Sequence, residues 1–229
     1  LTDKIDVLDH GYVRYIKHMG DDLDAINSAK VSFAKESAEF GEREARLLAF
    51  LAREEHTSVF RHSALTFEVY APLMVARQWF KYIVASSHTE DQQGWNESSR
   101  RYVTEEPTFY IPSPGEWRSS PENKKQGSGE PVEFNLGWNF TEQLFNFCEE
   151  GVRLYEQAQE NGICAEQARL FLPAYGMYVR WRWTASLGAV MHFLHQRLEH
   201  DAQKEIQDFA KAVHKLTAEH FPVTMETLV

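Results

Sequence analysis

The sequence predicts an α+β fold in a single domain, residues 1–229: a small mixed or antiparallel sheet covered by long helices. Three observations point there. Stretches that alternate like strands (63–70, 175–184) are interleaved with stretches of helical spacing, such as Ile206, Phe209, Val213 and Leu216. The 229 residues are 43% hydrophobic and 13% aromatic, enough to bury a substantial core. No internal repeat and no convincing linker divides the chain.

The elements follow in order. Residues 4–17 alternate around His10-Gly11 and read as one or two strands. Residues 21–28 read as a short helix with Leu23, Ile26 and Ala29 on one face. Residues 42–55 form a clearer helix, with Ala45, Leu48, Ala49 and Ala52 on one side and charges on the other. In 63–70, Leu65, Phe67 and Val69 alternate with Thr66 and Glu68, the pattern of a half-buried strand. Pro72 suits the first turn of the next helix, where a missing N–H costs nothing. Residues 82–100 read as loop, and Phe109-Tyr110-Ile111 as a short extended piece ended by Pro112 and Pro114. The region near 112–132 is rich in Pro, Gly, Ser and Lys and reads as a mobile surface loop. Asn139 followed by Glu142 has the form of a capping box. The helix it opens buries Leu144, Cys148, Val152 and Tyr155 and stops at Asn161-Gly162. A short helix over 164–172 ends at Pro173, residues 175–184 form a strand with one polar face, and helices cover 186–197 and 201–220.

The formal charge of −10 argues against broad nucleic-acid binding, and no apolar run approaches the ~20 residues needed to span a bilayer. Two cysteines do not make a disulfide framework. Cys148 reads as a buried packing thiol, and Cys164 lies near a helix start, where a thiolate can be stabilised. These features predict a cytoplasmic protein with no secretory signal at the start of the sequence given. An anionic substrate then needs a local basic site that outweighs the general field.

Residues 77–102 offer one. Arg77, Lys81, Arg100 and Arg101 stand there against Glu90, Asp91 and Glu97. The segment ends in Asn96, Glu97, Ser98, Ser99, Arg100, Arg101 and Tyr102. Guanidinium forks and hydroxyls suit a phosphorylated, hydrogen-bonding ligand, and a carboxylate can take a ribose hydroxyl. The residues alone leave this reading open beside a solvated charged loop. A second polar cluster, residues 192–203, holds His192, His195, Arg197, Glu199 and His200. His192, His195 and Glu199 share a helix face, but no second His/Glu motif complements them, so a metal is not expected.

The order of these residues resembles the signature of the flavin-dependent thymidylate synthases. It runs Arg77-Gln78-Trp79, then Ser86, then Asn96-Glu97-Ser98-Ser99-Arg100-Arg101-Tyr102. The resemblance continues through residues 4–13, 29–33, 56–69, 109–114 and 167–173 and the C-terminal helices, which is most of the chain. Two departures stand out. The family's Arg-His-Arg is replaced by Lys81-Tyr82-Ile83, and residues 87–95 are extra.

The resemblance implies a fold of that family's type. It also implies reductive methylation of dUMP to dTMP, with carbon from methylenetetrahydrofolate and hydride passed from NADPH through FAD. It places Arg197 as the catalytic group that activates the uracil ring. It places Gln78, Lys81, Glu97, Ser98, Ser99, Arg100, Arg101 and Arg169, with Arg197, around the nucleotide. FAD falls to Ser58, Lys81, Tyr82, Ile83, Asn96, Glu97, Ser186, Gly188 and His192. At 186, 188 and 192 the match is one of position, because the family has mostly Asn and Arg there. Tyr82 offers a stacking surface in place of the imidazole, and His192 a hydrogen bond to the flavin. The family assembles as a homotetramer with active sites built from several chains; its partners are small molecules, with no nucleic acid and no membrane. The altered Arg-His-Arg segment keeps two alternatives open. One is a folate-dependent dUMP hydroxymethylase on the same scaffold; the other is a non-catalytic nucleotide-binding homologue.

Overall fold

The computed structural model describes residues 3–82, 94–97, 106–121 and 127–228. Ile83, Ser98, Ser99, Arg100 and Arg101 lie outside them, as does most of 87–95.

Five antiparallel strands form one sheet in the order β1-β2-β3-β5-β4. β1 (Lys4–Val7) and β2 (Gly11–Met19) make a hairpin around Asp9-His10. β3 (Ala64–Pro72) lies between β2 and β5 (Tyr178–Ser186), and β4 (Gly94–Glu97) closes the edge beside β5. The alternation in the sequence divides the two faces of the sheet. Val13, Phe67, Val69, Trp181 and Trp183 are buried on one side. On the other, Glu68 accepts from Tyr12 Oη and Arg14 Nη2, both at 2.9 Å, and Arg182 Nε stands 3.7 Å away.

Helices α3 (Leu73–Trp79), α6 (Leu187–Arg197) and α7 (Lys204–Ala218) cover the apolar face. Trp79 is fully buried at the centre of this layer. It stacks on Phe193 at 4.4 Å and meets Trp181 and Trp183 edge-on at 5.5 Å each. α1 (Asp22–Lys30) and α2 (Glu42–Arg53) start within one residue of expectation; the capping carboxylate of Asp21 holds the first turn of α1. A last short helix, α8 (Pro222–Glu226), follows beyond the elements expected from the sequence. Its N-terminal amides on Val223 and Thr224 donate to the buried carboxylate of Asp22.

Several expectations need correction. Residues 82–100 are not all loop, because β4 lies among them. Pro72 ends β3 and caps α3 instead of opening its first turn. The long helix α4 (Phe134–Glu160) starts five residues before Asn139, so Asn139 and Glu142 sit inside it and form no cap. Of its expected stripe, Cys148 is buried but Leu144, Val152 and Tyr155 are only half-buried. Phe134, Trp138, Phe140, Phe145 and Phe147 are exposed. α4 docks through backbone: a Cβ on Gly137 would come within 1.9 Å of the Pro114 carbonyl oxygen. Beside this contact Thr141 Oγ1 accepts from Trp117 Nε1 at 2.9 Å and donates to the Pro112 carbonyl at 2.7 Å.

The segment over 112–132 is paired at its base. Ser119 N–H donates to Glu130 O and Val132 N–H to Trp117 O. Arg118 reaches from it to the buried carboxylate of Glu205 at 2.5 Å. Burial pushes Glu205 towards its neutral form, but Arg118 and Gln203 outweigh that and hold its pKa below the usual carboxylate range. Among the described residues, no helix is long and apolar enough to cross a membrane.

Candidate functional site

The site grows from the C-terminal ends of α3 and α6. α3 carries Gln78 on its last turn and passes straight into Lys81 and Tyr82. Gln78 Nε2 donates to Gln203 Oε1 at 2.5 Å, and Gln203 Nε2 to Glu205 at 2.8 Å. A polar chain thus runs from the motif into the loop that holds Arg118. Lys81 is exposed, whereas Tyr82 is only 2% exposed.

α6 is capped by Ser186, whose hydroxyl accepts from Ala189 N–H. Its apolar positions Val190, Phe193 and Leu194 are buried. That orientation turns His192 and His195 outward and leaves Arg197 half-buried in the last turn, where a helix's carbonyl end favours a cation. The Arg197 guanidinium lies over the Tyr82 ring, 5.1 Å from its centroid. The Nε of Arg197 is buried and has no hydrogen-bond partner among the described residues. The Tyr82 hydroxyl donates to Gln196 Oε1 at 2.7 Å, and its ring stands 5.6 Å from that of His192. Burial, then electrostatic repulsion from the neighbouring His195 and Arg197, lowers the pKa of His192 and favours its neutral form. Burial raises the pKa of Tyr82, with Arg197 pulling the other way.

β4 delivers the second half of the motif. Trp95 pairs with Trp183 in register and stacks on Trp181 at 5.0 Å, which fixes the exposed Asn96 and Glu97 at the sheet edge. Side chains alternate along a strand. Glu97 therefore shares the helix-covered face with Trp95 and Trp181, and Asn96 shares the opposite face with Arg182.

The described residues thus bring Tyr82, His192 and Arg197 into direct contact and keep Gln78 one helix turn before Tyr82. Others stand apart. Gly188 meets the 3-10 turn Thr57–Arg61, which carries the exposed Ser58, at the N-terminal end of α6. Gly188 is about 14 Å along the helix from Arg197. Ser186 is buried and serves as a helix cap, so it presents little to a ligand. Arg169 sits exposed on a 3-10 turn, Arg169–Phe171, after α5 (Ala165–Ala168), and both pack on α4. Ile83, Ser98, Ser99, Arg100 and Arg101 lie outside the described residues.

Sequence reasoning missed Trp95, Gln196 and Gln203. Trp95 fell in the supposed insertion, yet an isolated tryptophan between polar residues signals an anchor. No local pattern marks the two glutamines, whose partners are 114 and 125 residues away in the chain. Among the described residues no three His, Cys, Asp or Glu side chains converge to hold a metal. A cleft of about 380 Å³ opens between Asp9-His10 and the Trp138, Glu142 and Phe145 side of α4, and none of the motif residues lines it.

The chain has clear relatives. A family model described as thymidylate synthase complementing protein matches residues 14–223. A flavin-dependent thymidylate synthase from Thermotoga neapolitana is 36% identical over 229 residues, covering 99% of this chain and 94% of its own. One from Thermosipho melanesiensis is 32% identical over 97% of this chain and 92% of its own. Among solved structures, a UMP/dUMP methylase, PolB from Streptomyces cacaoi bound with 5-Br dUMP, is similar with a TM-score of 0.82. Its sequence identity is 26%, over 97% of this chain and 96% of that one.

Proposed function

Because this chain belongs to the family of flavin-dependent thymidylate synthases, we propose that it methylates dUMP to dTMP, with FAD carrying hydride from NADPH and methylenetetrahydrofolate giving the carbon. The observation that carries this reading is Arg197: a half-buried guanidinium with an unpartnered Nε, beside Tyr82 and His192. Carbon 5 of uracil is a poor nucleophile. A cation at the O2/N3 edge of the ring stabilises the negative charge that develops there as N3 gives up its proton to water, and the more electron-rich ring then attacks through carbon 5. Arg197 takes that role. Lys81, Arg100, Arg101 and Arg169 are the cations assigned to the nucleotide, with Gln78, Glu97, Ser98 and Ser99 as its hydrogen-bonding partners.

The exposed donors fit a flavin nucleotide: a cation in Lys81 for its phosphates, an amide in Asn96, a hydroxyl in Ser58, and a neutral imidazole in His192. Glu97, Ile83 and the backbone at Gly188 complete the proposed set. When bound, the flavin supplies the hydride chemistry, and these residues hold and orient it. The assembly proposed is a homotetramer. It is supported by α4, which is apolar on more than one side, the pattern of a helix covered all round. It is also supported by Arg169, which is exposed on a 3-10 turn packed against α4, apart from the other motif residues of its own chain.

The mechanism uses no thiol. Cys148 is buried in α4, where burial and Glu149 push its pKa up to about 11. Cys164 is exposed just before α5. The double variant Cys148→Ser, Cys164→Ser is therefore expected to turn over normally. Loss of turnover with the fold retained would mean that a thiol attacks the ring.

The cofactor is tested by the visible spectrum. The purified protein is expected to be yellow, or to become so with added FAD, and to bleach with NADPH under anaerobic conditions. A colourless, folded, nucleotide-binding protein that takes up no FAD contradicts the reading.

A further inference from the structure

Tyr82 stands where the family's Arg-His-Arg has its central histidine, and it is enclosed on several sides. The ring of Tyr82 is 2% exposed. Phe193 meets it edge-on at 5.2 Å and His192 lies 5.6 Å away. Gln196 accepts from its hydroxyl, and the Arg197 guanidinium covers it at 5.1 Å. Its backbone N–H donates to Trp79 O, and Trp79 in turn stacks on Phe193. A rigid aromatic column, Trp79–Phe193–Tyr82, thus ends under Arg197. Such a ring has no open surface for a flavin.

We propose that Tyr82, held by Gln196, is a positioning residue for Arg197: a platform that fixes the guanidinium for the charge developing on the pyrimidine. This inference rests on the assignment of Arg197 to ring activation. Arginine at a helix end otherwise samples many rotamers. Near a ring it is attracted by the π-electrons, one N–H also reaches towards the Tyr82 hydroxyl, and the remaining N–H groups can meet an acceptor. Electrostatic stabilisation acts through groups already in place when charge develops. A loosened guanidinium therefore costs the chemical step more than it costs nucleotide binding. Gln196 sits on the same helix turn as Arg197 and pins the far end of the ring, so Tyr82 cannot swing away from it.

The test compares Tyr82→Leu, Tyr82→Phe and Arg197→Ala by kcat, KM for dUMP and FAD affinity. Tyr82→Leu is expected to lower kcat about tenfold, with KM and FAD affinity little changed. Tyr82→Phe keeps the ring and is expected to keep most of kcat. In an Arg197→Ala background, Tyr82→Leu is expected to add no further loss, because both act through one guanidinium. Full kcat in Tyr82→Leu beside a crippled Arg197→Ala overturns the positioning role and leaves the assignment of Arg197 standing. Full kcat in Arg197→Ala overturns that assignment itself. A large loss of FAD affinity in Tyr82→Phe makes Tyr82 a flavin ligand and overturns the proposal. Should Tyr82→Leu fail to fold, the wild-type protein with nitrogen-15-labelled arginine decides. The Arg197 Nε–H signal, assigned by its absence in Arg197→Lys, is expected to be shifted upfield by the ring current of Tyr82. An unshifted signal overturns the proposal.

Discussion

Arg197→Ala is expected to leave the fold intact and to cut turnover by about a hundredfold or more, in the manner of a lost oxyanion donor. The side chain is half-buried in the last turn of α6, and the packing of that helix rests on Val190, Phe193 and Leu194 instead. Its guanidinium touches the Tyr82 ring and has a buried, unpartnered Nε among the described residues. Removing it deletes a donor without opening the core. The effect should fall on kcat, with melting temperature nearly unchanged. Near-normal kcat in the variant means that something else activates the ring.

Trp79→Ala is expected to have the opposite signature, a loss of stability of about 3–5 kcal/mol. Trp79 is fully buried and contacts Trp181, Trp183, Phe193 and Phe209 at the meeting of β5, α3, α6 and α7. Four aromatic partners cannot all close into the space a methyl group leaves. For a chain of this size the melting temperature should fall by roughly 10 °C. A shift no larger than that of an exposed substitution would mean that the layer repacks freely.

The sheet and most helices were legible because their burial is periodic. Phe67 and Val69 in β3, and Trp181 and Trp183 in β5, face one side with polar residues between them, and α7 repeats its apolar residues at helical spacing. β4 was not legible. Four residues, Gly-Trp-Asn-Glu, carry no alternation of their own, and their register comes from β5. The start of α4 was misread because Asn139 and Glu142 mimic a cap while Glu133, the true cap, makes no side-chain bond. Its buried stripe was overestimated because α4 docks by backbone at Gly137 and Gly151 and leaves several aromatics exposed.

The site divides in the same way. The motif order pointed to Gln78, and the resemblance of the later helix pointed to Arg197 and, by position alone, to His192. The pairing of Tyr82 with Gln196 and Arg197 depends on how α3 ends against α6, and no local spacing encodes a contact across more than a hundred residues. Ser186 illustrates the limit of matching by position: the chain uses its hydroxyl to start α6.

The proposed methylation of dUMP, with hydride delivered through a flavin, is decided by the mass of the nucleotide after anaerobic turnover with FAD, NADPH, methylenetetrahydrofolate and dUMP. The expected product is dTMP, heavier than dUMP by one CH2 unit, formed as NADPH is consumed. A product heavier by CH2O, formed without NADPH consumption, would show that water completes the reaction and would contradict the reductive step. Unchanged dUMP, from folded protein that binds the nucleotide, would contradict the catalytic role altogether.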